Sequence, residues 1–424
     1  MTGNPEIASV ERIEADYRIE TAVDPEAAVD VMAGEQSSGT FLSVPGETAE
    51  LKERSAARVE KLELIECDGQ PSLPGSARGD GVVRRALVTL SWPLDNIGPS
   101  LPNLMATVAG NLFELKQFSG LRITDLRLPW AFADRYSGPK FGIEGTRRLS
   151  GVHDRPLIGT IIKPSIGLDV AATADLTRTL CDAGIDFIKD DELQSDGRVC
   201  PFDARAEAVL RHVNETAERT ARKPMFALNV TGELDEMRRR HDRTLALGGT
   251  CIMVSLNAIG LVGLIELAKH SQLPIHAHRN GWGYLSRHPM LGWSYVAWQK
   301  IWRLAGADHM HVNGLDNKFC EENESVIRSA KTCLTPIFHE KPCVAMPVFS
   351  SGQSAKQAPA TFAALNSPDL IYAAGGGIMG HPDGPAAGVA SLRQAWQAAM
   401  EGTSLTDFAP GRPELAKALG TYSA

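Results

Sequence analysis

The stretch Asp186-Phe187-Ile188-Lys189-Asp190-Asp191-Glu192 sets one lysine and three carboxylates at the end of an apolar approach. In an extended strand, residues i and i+2 share a face, so Lys189 and Asp191 point the same way, with Glu192 just past the strand end. Burying that many charges is unfavourable unless they pair or hold a metal ion. A solvated acidic turn would use the same residue types. The element that carries the stretch must decide between the two.

From Arg155 onward, short apolar runs recur, each closing in a polar residue or glycine. They are Leu157–Ile162, Ile185–Ile188, Pro224–Val230, Cys251–Leu256, Leu273–Ala277, His309–Val312, Cys343–Val348 and Leu370–Ala374. Amphipathic stretches lie between them; Ala206, Val209, Leu210, Val213 and Ala217 have the spacing of a helix that buries one face. Eight strand–helix repeats predict a (β/α)8 TIM barrel over residues 151–424, with its chemistry in the loops at the strands' C-terminal ends. Those positions read Lys163-Pro164-Ser165, Lys189 to Glu192, Asn229, Asn257, His278-Arg279, His311, Ser350-Ser351-Gly352 and Gly375-Gly376-Gly377. Core packing does not demand such residues strand after strand, which favours the functional reading of the acidic stretch. The loops after the last two strands are the usual phosphate cradle of this fold. Arg279 as a fork and Lys318 as a point charge could add to it.

Residues 1–150 mix strands and helices without strict alternation, which predicts a separate N-terminal α+β, ferredoxin-like domain. Residues 12–19, 38–44, 59–65, 82–90 and 121–128 read as extended. A helix opens at Pro25, and another spans Pro102–Phe113. Glu35 to Thr40 reads as a polar, glycine-containing loop, and Asn111 stands at a helix end; taken alone, turn or cap roles suit both better than chemical ones.

Two domains suit a chain of 424 residues. A net charge of −8 argues against a nucleic-acid surface. The seven cysteines are scattered without a CxxC pair, which suits a reducing cytoplasm and gives no zinc spacing. No apolar run reaches the ~20 residues of a membrane helix, and the polar N-terminus reads as neither signal peptide nor anchor.

With these residues in place, the chain resembles the RuBisCO large-chain superfamily over nearly its whole length. GIDFIKDDE (184–192) matches the family's FxKDDE signature, whose lysine is carbamylated by CO2 and binds Mg2+ with the second Asp and the Glu. The resemblance thus implies Lys189, Asp191 and Glu192 as metal ligands, with CO2 held as a carbamate on Lys189. Oxygen donors are what a hard ion such as Mg2+ takes. GTIIKP (159–164) implies Lys163 as an acid/base, and HAHRN (276–280) implies the His278-Arg279 pair. DHMH (308–311) supplies His311, and Lys318 falls where the family keeps the lysine of its mobile sixth loop. Ser350, Gly352, Gly375 and Gly376 fall at the phosphate loops. Glu35, Thr40 and Asn111 are the residues that in the family complete the neighbouring subunit's site, which implies a homodimer or dimer-based oligomer.

Departures limit the chemistry. The family's carboxylases have KPK where this chain has Lys163-Pro164-Ser165, a histidine at the position of Trp282, and tryptophan at that of Phe41. These losses weaken bisphosphate binding and remove a group that carboxylation needs. The chain therefore resembles a non-carboxylating, type IV RuBisCO-like protein acting on a phosphorylated keto-sugar or keto-acid. Two Mg2+-dependent reactions through an enediolate remain open. One is decarboxylation of a 3-oxo sugar-acid phosphate, of the 3-oxo-isoapionate-4-phosphate type, which the retained Lys163, Lys318, His278 and Asn111 favour. The other is keto-enol isomerisation of a methylthio-ribulose or 2,3-diketo-5-methylthiopentyl phosphate. A sugar-phosphate-binding protein without catalysis is a third reading, opposed by the intact metal-site residues.

Overall fold

The computed structural model describes residues 11–39 and 44–421. It contains thirteen strands: β1 Arg12–Thr21, β2 Arg58–Ile65, β3 Arg84–Pro93, β4 Gly120–Arg127, β5 Leu157–Ile161, β6 Phe187–Lys189, β7 Met225–Asn229, β8 Cys251–Ser255, β9 Ile275–His278, β10 Leu291–Trp293, β11 His309–His311, β12 Met346–Phe349 and β13 Ile371–Ala373. The chain divides into two compact units, residues 1–137 with 281–301, and residues 138–280 with 302–424.

In the first unit, five strands form one sheet in the order β10-β4-β1-β3-β2. β1 sits at its centre, antiparallel to β3 and β4. Its alternating burial shows why it is a strand: Ile13, Ala15, Tyr17 and Ile19 are fully buried, while the residues between them are not. The fifth strand, Leu291–Trp293, pairs parallel with β4 although it comes from far along the chain. Its apolar run is three residues long, too short to read from periodicity. The helix expected over Pro102–Phe113 stops at Val108, because Gly110 takes φ +34° where a Cβ would meet the Ala106 carbonyl; a short 3-10 turn, Leu112–Glu114, follows. The extended reading of residues 38–44 falls mostly on 40–43, outside the described residues.

In the second unit, β5, β6, β7, β8, β9, β11, β12 and β13 close a barrel in that order, all parallel. Each coincides with one of the eight runs read from the sequence. Helix Phe202–Thr220 buries Phe202, Ala206, Val209, Leu210 and Val213 as its periodicity requires. Helix Gly142–Ser150 belongs to this unit, so the contact division falls at 137/138 rather than at 150.

The barrel interior is packed by Leu157, Phe187, Met225, Ala227, Cys251, Met253, Met346, Val348, Ile371 and Ala373. His276 and His309 join it, with their rings 5.1 and 5.9 Å from that of Phe187. Because strand side chains alternate, the residue two places beyond each of these keeps the inward side as the chain reaches the barrel mouth. Phe187 is thus followed by Lys189, His276 by His278, His309 by His311, Val348 by Ser350, and Ala373 by Gly375.

Candidate active site

At the ends of β5 and β6 the charged residues meet. Lys163 Nζ lies 2.6 Å from Asp191 Oδ2 and 2.8 Å from Ser165 Oγ. Lys189 Nζ lies 3.1 Å from Glu192 Oε2 and donates to the Asp190 carbonyl at 2.8 Å. His278 Nε2 stands 3.5 Å from the same Glu192 oxygen. Asn229, from the end of β7, donates to the Asp191 and Glu192 carbonyls at 3.4 and 3.2 Å, which fixes the turn carrying both carboxylates.

Lys189 is 1% exposed. Burial lowers its pKa, against the opposing pull of Glu192 and Asp191. Burial pushes the Glu192 carboxyl up, but His278 and Lys189 outweigh it and hold it at about 2. Burial, then Lys189, pushes His278 down to about 4, so its imidazole is neutral at pH 7. A lysine with a depressed pKa exposes its amine lone pair, the form that attacks CO2.

Asp190, between the two candidate ligands in sequence, points elsewhere. It is fully buried against Arg205 at 3.2 Å and accepts the Asn229 N–H at 2.9 Å. It ties β6 to helix Phe202–Thr220 and β7.

The donor set suits a hard cation. Two carboxylates, compensated by lysines at 2.6 and 3.1 Å, flank Lys189, which would add oxygen donors once carbamylated. A second cluster, His241, Asp242 and His270, brings ligand atoms within 4.8 Å of one another. There His241 Nε2 accepts the Gln272 N–H at 3.0 Å, so the proton sits on Nδ1 and is donated to Asp242 at 2.9 Å. That nitrogen is committed to a hydrogen-bond chain.

On the β9–β12 side, His276 Nε2 and His311 Nε2 are 2.8 Å apart, and His311 Nδ1 is 3.1 Å from Ser350 Oγ. Burial drives both imidazoles well below their ordinary pKa. Arg279 Nη2 reaches Glu321 Oε2 at 2.5 Å. Gly352 takes φ +91°, a conformation that favours glycine, and a Cβ on Gly376 would meet no heavy atom within 4 Å; both residues are exposed. Lys318 is exposed, its Nζ 5.2 Å from the Phe319 ring.

In the other unit, Asn111 Nδ2 lies 3.4 Å from Glu35 Oε1, so two of the three N-terminal candidates meet. Thr40, like Phe41, lies outside the described residues. Sequence reasoning missed His276 and Glu321. His276 carried a signal, since it precedes His278 by one strand period. Glu321 carried none, because one acid among Glu321, Glu322 and Glu324 looks like any exposed loop residue.

Two family models match the chain: the ribulose bisphosphate carboxylase large chain catalytic domain over residues 142–422 and its N-terminal domain over 8–132. A 3-oxo-isoapionate-4-phosphate transcarboxylase/hydrolase of Xanthobacter autotrophicus is 60% identical over 97% of this chain and 99% of its own. A 3-oxo-isoapionate-4-phosphate decarboxylase of Rhizobium rhizogenes is 44% identical, covering 96% and 97%. Among solved structures, a rubisco-like protein from Burkholderia fungorum superposes with a TM-score of 0.91 at 47% identity, covering 97% of this chain and 100% of that one.

Proposed function

The chain belongs to the ribulose bisphosphate carboxylase large-chain family, and we propose that it removes the carboxyl group from a phosphorylated 3-oxo sugar acid of the 3-oxo-isoapionate-4-phosphate type. The observation that carries this reading is Lys163, a proton donor held 2.6 Å from one of the paired carboxylates, with Ser165 rather than a second lysine beside it. The relatives that act on 3-oxo-isoapionate-4-phosphate, at 60% and 44% identity, support the substrate class.

Lys189 as a carbamate, Asp191 and Glu192 would hold Mg2+, which when bound supplies Lewis-acid stabilisation of negative charge on the keto oxygen. The remaining steps fall to side chains. Ser350 and the open backbone at Gly352, Gly375 and Gly376 take the phosphate, fixing the acid's direction in the site. His278, neutral, offers a hydrogen bond to a substrate hydroxyl without adding charge, and His311, held between His276 and Ser350, orients the Ser350 hydroxyl. As the carboxyl leaves, the C–C bond electrons pass into the keto group as an enediolate. Lys163 then returns a proton to the carbon, and Lys318 closes on the substrate from its loop. Glu35, Thr40 and Asn111 complete the site of a neighbouring copy in a dimer. Mixing Lys163→Ala with Asn111→Ala protein should then restore activity to about a quarter of wild type through hybrid dimers with one intact site.

The name of the 60% identical relative favours one variant of this reading, in which the carboxyl is transferred and the product hydrolysed. A substrate carrying 13C at the carboxyl, incubated with the protein, Mg2+ and bicarbonate, tests both. Label appearing as free CO2 and bicarbonate is the result expected. Label retained in a product acid identifies transfer. Turnover of a methylthio-diketone phosphate alone, with no change in the oxo acid, would overturn both.

A further inference from the structure

Glu321 lies three residues past Lys318, on the loop between β11 and helix Asn323–Leu334. Its surroundings are not those of a surface acid. Its side chain is 15% exposed and meets Arg279, itself 7% exposed, at 2.5 Å. Asn313 Nδ2 donates to the same Glu321 oxygen at 2.7 Å, and Ser325 Oγ to the other at 2.8 Å. Asn313 in turn accepts Ser351 Oγ at 2.9 Å, and the Lys318 N–H reaches the Ser351 carbonyl at 3.3 Å. One network therefore joins Arg279, the loop of Lys318 and the serine loop after β12.

Arg279 follows His278 at the barrel mouth and lies near enough to His311 to depress its pKa. Its planar fork is the group there best suited to a phosphate. A phosphate arriving at it would have to displace Glu321, or bind beside a carboxylate fixed by three donors. Either leaves like charges close together in a poorly solvated place.

We propose that Glu321 is the specificity-determining residue of this site: its carboxylate pairs with Arg279 through Nη2 and neutralises it, so the site accepts sugar acids with one phosphate and rejects bisphosphates. This deepens the function proposed above and rests on its placement of the single phosphate at Ser350 and the glycine loops.

The test uses xylitol 5-phosphate and xylitol 1,5-bisphosphate, which cannot react, titrated calorimetrically into the full-length protein with Mg2+ and bicarbonate. Wild type should bind the monophosphate at least as tightly as the bisphosphate. In Glu321→Gln the bisphosphate should gain about tenfold or more with the monophosphate little changed, and adding Arg279→Gln should erase the gain. A wild-type preference for the bisphosphate of about threefold or more overturns the proposal. So does a folded Glu321→Gln protein with no gain. Should Glu321→Gln fail to fold, Glu321→Asp takes its place, with the same gain expected and no gain overturning the proposal. Neither probe can lose CO2, so failure here is distinct from failure of the decarboxylation reading.

Discussion

Around Asp191 and Glu192 the counter-charges are lysines, at 2.6 and 3.1 Å; around Arg279 the counter-charge is a carboxylate, at 2.5 Å. On the β5–β6 side one partner can change sign, since a buried lysine that takes up CO2 turns from a cation into an anion. Once Lys189 is carbamylated, as proposed, two carboxylates and a carbamate would stand together, a donor set that a hard cation would neutralise. On the β9–β12 side neither partner changes, and the guanidinium stays neutralised through the cycle. A switchable ion pair makes a binding site, whereas a permanent one sets a boundary to what binds.

Replacing Lys189 should break this comparison most severely. Lys189→Ala should lower kcat/KM by about a thousandfold or more, and bicarbonate with Mg2+, expected to raise the melting temperature of the unaltered protein, should no longer do so. Retention of that rise would show that the site does not depend on the lysine.

Asp190 provides the contrast one residue away. Asp190→Asn leaves the buried Arg205 uncompensated and should cost about 3–5 kcal/mol in urea unfolding. The thermal gain from Mg2+ should survive. A loss of Mg2+ response larger than the loss of stability would place Asp190 among the ligands instead.

Acid should act chiefly on the histidine side. Burial holds His309 at about 3, and burial with Lys189 holds His278 at about 4, against 6.5 for an unperturbed imidazole. The unfolded chain takes up these protons first, so stability is full above pH 6.5 and declines as pH falls toward the folded values. Urea midpoints measured between pH 7 and pH 4.5 should fall steadily, and His309→Gln should make the slope shallower by about one proton. A midpoint flat across that window would mean the imidazoles are charged in the folded state.

The smallest effect belongs to the outer His241–Asp242–His270 chain. Asp242 is 57% exposed on its side chain, so Asp242→Ala should change stability by no more than about 1 kcal/mol and leave turnover intact.

The barrel was legible in the sequence because each of its strands is a short apolar run buried along its length and closed by a polar residue. The positions of the candidate site were legible for the same reason: Lys189, His278, His311 and Ser350 each lie two residues beyond an interior position. Glu321 was not, since its role depends on where its loop folds rather than on any local pattern. Gly110, which ends the helix two residues after Val108, was equally silent, because glycine inside a helical run is tolerated as often as not. β10 was missed because three residues offer no periodicity to read.

β10 also sets when the first unit's sheet can be completed during synthesis. The first unit's sheet has four strands in hand once residue 127 has emerged, yet its edge strand beside β4 is Leu291–Trp293. At ordinary translation speeds that strand follows roughly ten to thirty seconds later. Until then the β4 edge is an open row of amides and carbonyls in a growing chain. Nascent copies on one message are most exposed to one another's edges during that interval. A synonymous slowing between codons 128 and 291 would lengthen it without altering a single residue of the finished protein.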